Sequence, residues 1–569
     1  MGGSCSKCCA SVVLPSTIAF NQIQTSSTLP STPSPTRFIE NCIVLWLFDD
    51  PSRKFDNEKE QLRRSVYGLQ IFFNADTCID YVRDIKDERV FLITSVTYQS
   101  IVNFYHLISL EKIYIFDPSS SPDRRRSLHS NTFSNMTDLC TQVQQDIDLY
   151  EHDQICWSTI SNSSNEMNKA DLSFVFIQIF HEIMARLKFD ENANTIFIDF
   201  CRSHYSGRQL HLVEEFAKHY RPDTALDWLR RACFISRILN RVKRTREIDV
   251  LYKLGFFTKQ LNTQLLHLHE ENKSFLQTLS VVFRGKTMLN DEFDSLMKNH
   301  SSGLLSFGNF LCTTVNKETS MEFIRLRLTL HPDRLAVLFQ IHLNHLIFDE
   351  ERPYALLANH DLKNGEIYFA AGSVFRIESV KQIVTNELMI WCVKLHLINT
   401  NDTQLVRILT PFRTPEQYDN PLSCLGKLLM EMGEYQRVEQ FFLEILNDTS
   451  ILSQPRRLVR AHNGLGANYA HQEDYTSALM HFEQALRISL TYLPTDHVDL
   501  TLIYKNIGDC CLSQKNYSRA LNNYERAIKL IEANKQSSKL YMLEELQTLL
   551  HDTKTFIRMV FTDKSRTLP

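Results

Sequence analysis

Between about Arg37 and Tyr150, short apolar runs alternate with amphipathic stretches. Ile43–Phe48, Gln70–Phe73, Val90–Ile93 and Ile113–Phe116 read as buried strands, and segments near 57–67, 76–85, 98–108 and 136–149 read as helices. Strands that alternate with helices make a parallel sheet covered on both faces, so residues 37–150 are expected to form a doubly wound α/β module. The pattern then turns helical from Leu172 to His269. Phe174, Ile177, Phe180 and Met184 lie on one face; Trp228, Phe234, Ile235, Ile238 and Leu239 continue another. From Ser280 onward strand-like runs dominate: Val281–Phe283, Phe323–Leu330, Leu335–Ile341, Glu366–Phe369, Val374–Ile377 and Leu388–His396. Helices followed by a run of strands predict an α+β domain over 165–400.

Beyond about residue 420 a repeat emerges. Gly426, Gly466 and Gly508 each follow an apolar residue; twelve positions later come Val438, Ala478 and Ala520. Sixteen positions after each glycine stand Phe442, Phe482 and Tyr524, and nineteen after, Ile445, Ala485 and Ala527. Small residues at fixed places let paired helices pack closely, with the aromatic filling the gap. This register resembles tetratricopeptide repeats, in a lengthened form similar to those of kinesin light chains. An all-α array is expected over 415–535, with a closing helix (Tyr541 to Phe561) and tail over 536–569. Such stacks present a concave surface to protein partners.

Composition narrows the class. A chain of 569 residues needs several domains, and a net charge of −4 gives no electrostatic reason to expect nucleic acid as a partner. No apolar run reaches 18 residues. Cysteines such as Cys201, Cys233 and Cys392 sit singly in apolar stretches, as reduced cytoplasmic thiols do. The chain opens Met1-Gly2-Gly3-Ser4-Cys5-Ser6-Lys7-Cys8-Cys9, which matches the N-myristoylation pattern at Gly2 and Ser6. One acyl chain holds a bilayer only marginally; Cys5, Cys8 and Cys9 are candidate palmitoylation sites for the second. From Ser11 to Thr36, fifteen of 26 residues are Ser, Thr or Pro and none is charged, so 1–36 is expected to be an acylated start on a disordered stalk. The implied location is the cytoplasmic face of a membrane.

The chemistry lies in three spaced pieces. Val281-Val282-Phe283-Arg284-Gly285 ends an apolar strand on an arginine and a glycine. Phe307-Gly308-Asn309-Phe310-Leu311-Cys312-Thr313-Thr314 follows, and then Asn364-Gly365-Glu366-Ile367-Tyr368-Phe369 with Gly372-Ser373-Val374-Phe375-Arg376-Ile377. In order and spacing these pieces resemble the mono-ADP-ribosyltransferases, whose motifs are Arg, then Ser-Thr-Ser, then Glu-x-Glu. The helical lead-in with Trp228-Leu229-Arg230-Arg231 is similar to that family's helical subdomain.

The resemblance implies an NAD-dependent transferase that moves ADP-ribose to a protein side chain and releases nicotinamide. Breaking the bond between nicotinamide and ribose builds oxocarbenium character, which a carboxylate stabilises; Glu366 takes that role by resemblance. Arg284 would grip the dinucleotide's phosphates, and Gly285 would let the backbone approach the nicotinamide amide. Cys312, Thr313 and Thr314 stand at the hydroxyl motif, with Thr313 set beside Arg284, Gly285 and Glu366 as cofactor-binding. Cys312 replaces the motif's first serine, and a thiol is a weaker donor and acceptor. Asn364 stands where arginine-modifying members carry a glutamate, and an amide cannot act as a base. Two other readings are an NAD glycohydrolase, which needs Glu366 alone, and an inactive interaction scaffold.

The remaining polar features carry blander expectations. The α/β module is similar to a receiver domain, with Asp49-Asp50 after its first strand, yet its third strand ends Ile93-Thr94-Ser95 without the phospho-accepting aspartate. It is expected to bind partners. Arg124–Arg126 reads as a solvated loop, and His181-Glu182 as a solvated helix turn. His342 and His345 lack a third ligand at metal spacing, so no metal is expected.

Overall fold

The computed structural model describes residues 40–566 apart from short stretches, the longer being 49–54, 99–108, 120–130, 162–166, 344–348, 358–364, 414–420, 448–453 and 535–539. Asp49-Asp50, Arg124–Arg126, His345, most of the helix expected at 98–108 and the whole acylation motif lie outside the described residues.

Strands β1 (Cys42–Leu47), β2 (Leu69–Phe72), β3 (Arg89–Thr94), β4 (Leu110–Phe116) and β5 (Thr132–Phe133) form a parallel sheet in the order β2-β1-β3-β4-β5. All six residues of β1 are buried, as a central strand covered by helices on both faces requires. Helices Asp56–Ser65, Ala75–Asp84 and Met136–Asp153 accompany it. The module is doubly wound as expected, with the short β5 as an unforeseen edge.

The helical part runs from Lys169–Arg186 to Gly255–Glu271, around an aromatic core that includes Phe174, Phe197, Phe216, Phe234 and Phe257. The second sheet follows. Its strands are β6 (Trp157–Ile160), β7 (Val281–Met288), β8 (Leu304–Phe307), β9 (Leu311–Thr314), β10 (Leu335–His342), β11 (Tyr354–Leu357), β12 (Glu366–Phe369), β13 (Val374–Thr385) and β14 (Leu388–Ile398). Among the described residues their order is β11-β12-β9-β7-β10-β14-β13-β8-β6. Trp157 to Ile160 pair with β8, so this part opens ahead of residue 165.

Two expectations are corrected. Phe323–Leu330 is not a strand but the second half of helix Lys317–Leu330, which starts where Asn316 caps Glu318 N at 2.9 Å. Its alternating apolar letters imitate a strand, yet Met321, Ile324 and Arg327 are buried at helical spacing while Leu326 is exposed. The pair His181-Glu182 is buried rather than solvated. The His181 ring reaches the Gly308 carbonyl at 3.2 Å, and burial first, then Lys243, pulls its pKa well below the usual value. Glu182 receives the Arg413 guanidinium from across the fold. His342 stacks on His396 with ring centroids 5.0 Å apart.

Among the described residues three helical hairpins come next: Pro421–Glu431 with Tyr435–Asn447, Pro455–His471 with Tyr475–Ser489, and Thr501–Ser513 with Tyr517–Ala533; helix Met542–Arg566 follows. The glycine–aromatic register has a direct steric cause. A Cβ on Gly426 would lie 3.3 Å from the Phe442 ring, on Gly466 2.6 Å from Phe482, and on Gly508 2.5 Å from Tyr524. The first hairpin is continuous with the core of the helical part: its Leu425 and Phe442 share one apolar cluster with Phe174 and Phe257.

Helix Phe234–Thr245 fastens the α/β module to the rest through buried charge. Arg237 meets Glu40 at 3.4 Å and Asp148 at 3.1 Å; Arg241 meets Glu88 at 2.9 Å and Glu247 at 3.2 Å. Beside them Glu151 accepts from Asn41 Nδ2 at 2.9 Å, and burial pushes its carboxyl up to about 7. A carboxyl raised on folding contributes stability below its unfolded pKa and loses it as pH rises through the folded one. Glu151→Gln is therefore expected to be the more stable form at pH 8, by roughly 3 kcal/mol, and to lose that advantage by pH 5. Urea denaturation at the two pH values measures it; an equal offset at both would contradict the linkage.

Candidate active site

Strand pairing assembles the three motifs. β12 pairs antiparallel with β9, setting Glu366 opposite Thr314, Ile367 opposite Thr313 and Tyr368 opposite Cys312; β7 meets β9 at Phe283 and Thr314. Because side chains alternate along a strand, Glu366, Tyr368, Cys312 and Thr314 share one face. Thr313 points to the other.

That alternation revises several roles expected from the residues alone. Thr313 is buried, and its hydroxyl donates to the Ile367 carbonyl at 2.9 Å. It braces β9 against β12, as the hydroxyl motif is expected to do. Thr314 Oγ1 accepts from Asn316 N at 3.1 Å and so steadies the turn into helix Lys317–Leu330. Burial first, then the Glu366 charge, pushes the Cys312 thiol up to about 11; it pairs with the Tyr368 hydroxyl. Cys312 is thus a thiol at neutral pH, not a thiolate nucleophile.

Arg284 is 7% exposed; its Nη1 donates to the Cys312 carbonyl at 3.3 Å, and its guanidinium lies 5.7 Å from the Phe323 ring. Gly285 serves packing. A Cβ there would come within 2.3 Å of the Ser320 carbonyl, so helix Lys317–Leu330 can lie on β7 only if residue 285 has no side chain. Gly285→Ala is expected to destabilise the fold by about 2 kcal/mol or more, since backbone rather than a pliable side chain must yield. A thermal melt matching the wild type would refute this account. Asn364 lies outside the described residues.

Glu366 stands at the mouth, its side chain 36% exposed, with Oε2 facing Arg230 Nη2 at 3.5 Å. That oxygen is itself buried and has no hydrogen-bond partner among the described residues. Arg230, 32% exposed, reaches the glutamate from the short helix Ala225–Arg230. Its neighbour Arg231 stacks over Trp228 at 4.5 Å and pairs with Glu215 at 2.9 Å, which anchors the turn. Reading the sequence assigned Arg230 to the helical lead-in and missed its place at the site. The doubled arginine was visible; which of the two faces the glutamate was not. Among the described residues no group of three His, Cys, Asp or Glu could hold a metal ion.

A strand-borne arginine, a hydroxyl motif and a glutamate thus stand in one sheet behind a helical lead-in, ahead of an array of helical hairpins. The tetratricopeptide repeat family model matches residues 457–533, which hold the second and third hairpins. No curated protein matches the sequence. Among solved structures the chain is similar to the catalytic domain of VahC from Aeromonas hydrophila, with 14% identity over 42% of this chain and 100% of that one, at a TM-score of 0.19. It is similar to C3larvin toxin, an ADP-ribosyltransferase from Paenibacillus larvae, at 11% identity over 35% and 92% of the two chains and a TM-score of 0.18. A third is the ADP-ribosylating toxin BECa of a C. perfringens binary enterotoxin, with NADH, at 12% identity over 49% and 66% and a TM-score of 0.19.

Proposed function

We propose that this chain transfers ADP-ribose from NAD to a protein side chain, releasing nicotinamide. The observation that carries this reading is the Glu366 carboxylate at the site's mouth, with one buried oxygen that has no hydrogen-bond partner among the described residues and a guanidinium 3.5 Å away. Such an oxygen is placed to accept a ribose hydroxyl and to offset positive charge as the glycosidic bond opens. Arg230, on the open side of Glu366, suits the pyrophosphate of the incoming dinucleotide, and its bond to Glu366 would yield to substrate. Arg284, behind it, holds the β9 backbone in register. The acceptor is a protein, selected through the repeat array.

The test supplies labelled NAD and candidate proteins to the wild type and to Glu366→Gln. Label on protein that vanishes in the variant supports transfer; free ADP-ribose alone means hydrolysis. Absence of both turnover and NAD binding defeats the proposal.

We further propose that acylation at Gly2, with Cys5, Cys8 or Cys9, tethers the enzyme to the cytoplasmic face of a membrane. Among the described residues no helix is long and apolar enough to cross one. Gly2→Ala is expected to move the protein into the soluble fraction on cell fractionation; unchanged membrane association counts against the tether.

A further inference from the structure

A cleft of about 420 Å³ runs along the seam between the five-stranded module and the nine-stranded sheet. It shares no residue with the site around Glu366, although Lys286 in its wall lies two positions beyond Arg284 on β7. Cations reach it from every side: Arg89 opens β3, Arg244 and Arg246 end helix Phe234–Thr245, Lys286 comes from β7, and Arg334 precedes β10. Among the described lining residues the sole carboxylate is Glu292.

Carboxylates reach three of these cations. Lys286 meets Glu292 at 3.2 Å, Arg334 meets Glu111 at 3.1 Å, and Arg246 meets Glu434 at 3.5 Å. Arg244 is held by the Asn41 amide oxygen at 2.9 Å and the Asp87 carbonyl at 2.6 Å, and neither cancels its charge. Its Nε is buried without a hydrogen-bond partner among the described residues. Ser158 in the wall is 8% exposed, and its hydroxyl too is buried without a partner. Arg246 takes a left-handed backbone (φ 57°) that few side chains other than glycine's hydrogen adopt, which turns the chain at the cleft's edge.

Guanidinium forks, an ammonium and the Ser158 hydroxyl are the kind of donor set that phosphate oxygens need, and the cleft is larger than one phosphate fills. We propose that this seam binds a small soluble molecule bearing two or more phosphate groups. Bound there, it bridges the α/β module to the strand that carries Arg284.

The experiment is calorimetric titration of the full chain with inorganic pyrophosphate at low salt. Binding is expected, with Arg244→Gln weakening it about tenfold or more, as loss of a charge-assisted hydrogen bond does. Glu292→Gln keeps the acceptor for Trp157 Nε1, 2.7 Å away, while removing the wall's carboxylate, so it is expected to tighten binding about threefold. A folding defect cannot produce that gain, which keeps the test decisive if Arg244→Gln is unstable. Retained pyrophosphate binding in Arg230→Gln separates this cleft from the transferase site. Absence of binding, indifference to Glu292→Gln, or loss of binding in Arg230→Gln would overturn the proposal.

Discussion

Glu366→Gln is expected to slow nicotinamide release from NAD by about 10²–10³-fold, the usual cost of removing one preorganised electrostatic group from a transition state. The amide keeps the size and one acceptor oxygen of the carboxylate, and it leaves β12 paired with β9 as before. NAD should therefore still bind, and the loss should fall on kcat with KM little changed. The glutamate's charge opposes charge that exists only as the glycosidic bond breaks. After burial, its charge is the next cause of the raised Cys312 thiol pKa, so the variant should lower that pKa, readable from the pH dependence of alkylation. A variant with full turnover would place the chemistry elsewhere in the molecule.

The largest effect on stability is expected from Arg237→Ala. Arg237 and Glu40 are 6% and 3% exposed, and truncation leaves the Glu40 carboxylate buried with the Tyr205 hydroxyl as its remaining strong partner. Breaking a buried pair from one side costs about 3–5 kcal/mol, because the surviving charge keeps its desolvation penalty. Burial already raises the Glu40 carboxyl, and Arg237 is the strongest influence lowering it. Without the arginine that pKa rises further, so the variant can shed the charge by taking up a proton. The deficit should be full at pH 8 and smaller at pH 5. Denaturant midpoints of variant and wild type at both pH values decide; a pH 8 cost below about 1 kcal/mol would mean the pair is dispensable.

Local pattern located most of the elements. Buried parallel strands read as unbroken apolar runs, and β1, β3 and β4 were legible on that ground. The repeats were legible because glycine and aromatic must recur where helices touch. Failures came where period and composition disagree. Phe323–Leu330 alternates like a strand but follows an Asn cap into a helix whose buried face recurs every third residue. The short strands β6, β8, β9 and β11 were not delimited by their own pattern.

Arg284 and Glu366 were visible because each is marked by its own apolar strand, and the Cys312–Thr314 motif by its place between them. The sequence by itself determined those residue types and their order. Only the tertiary structure decided their partners. Register with β12 turned Thr313 away from the site and put Cys312 against Tyr368. Packing of helix Lys317–Leu330 on β7 gave Gly285 its purpose, and with Arg231 held by Trp228 and Glu215 it is Arg230 that faces the glutamate. The seam cleft was likewise beyond local reading, since its cations come from segments as far apart as Arg89 and Arg334. Periodicity reports which side of an element is buried, whereas contacts between distant segments depend on how the elements are laid together.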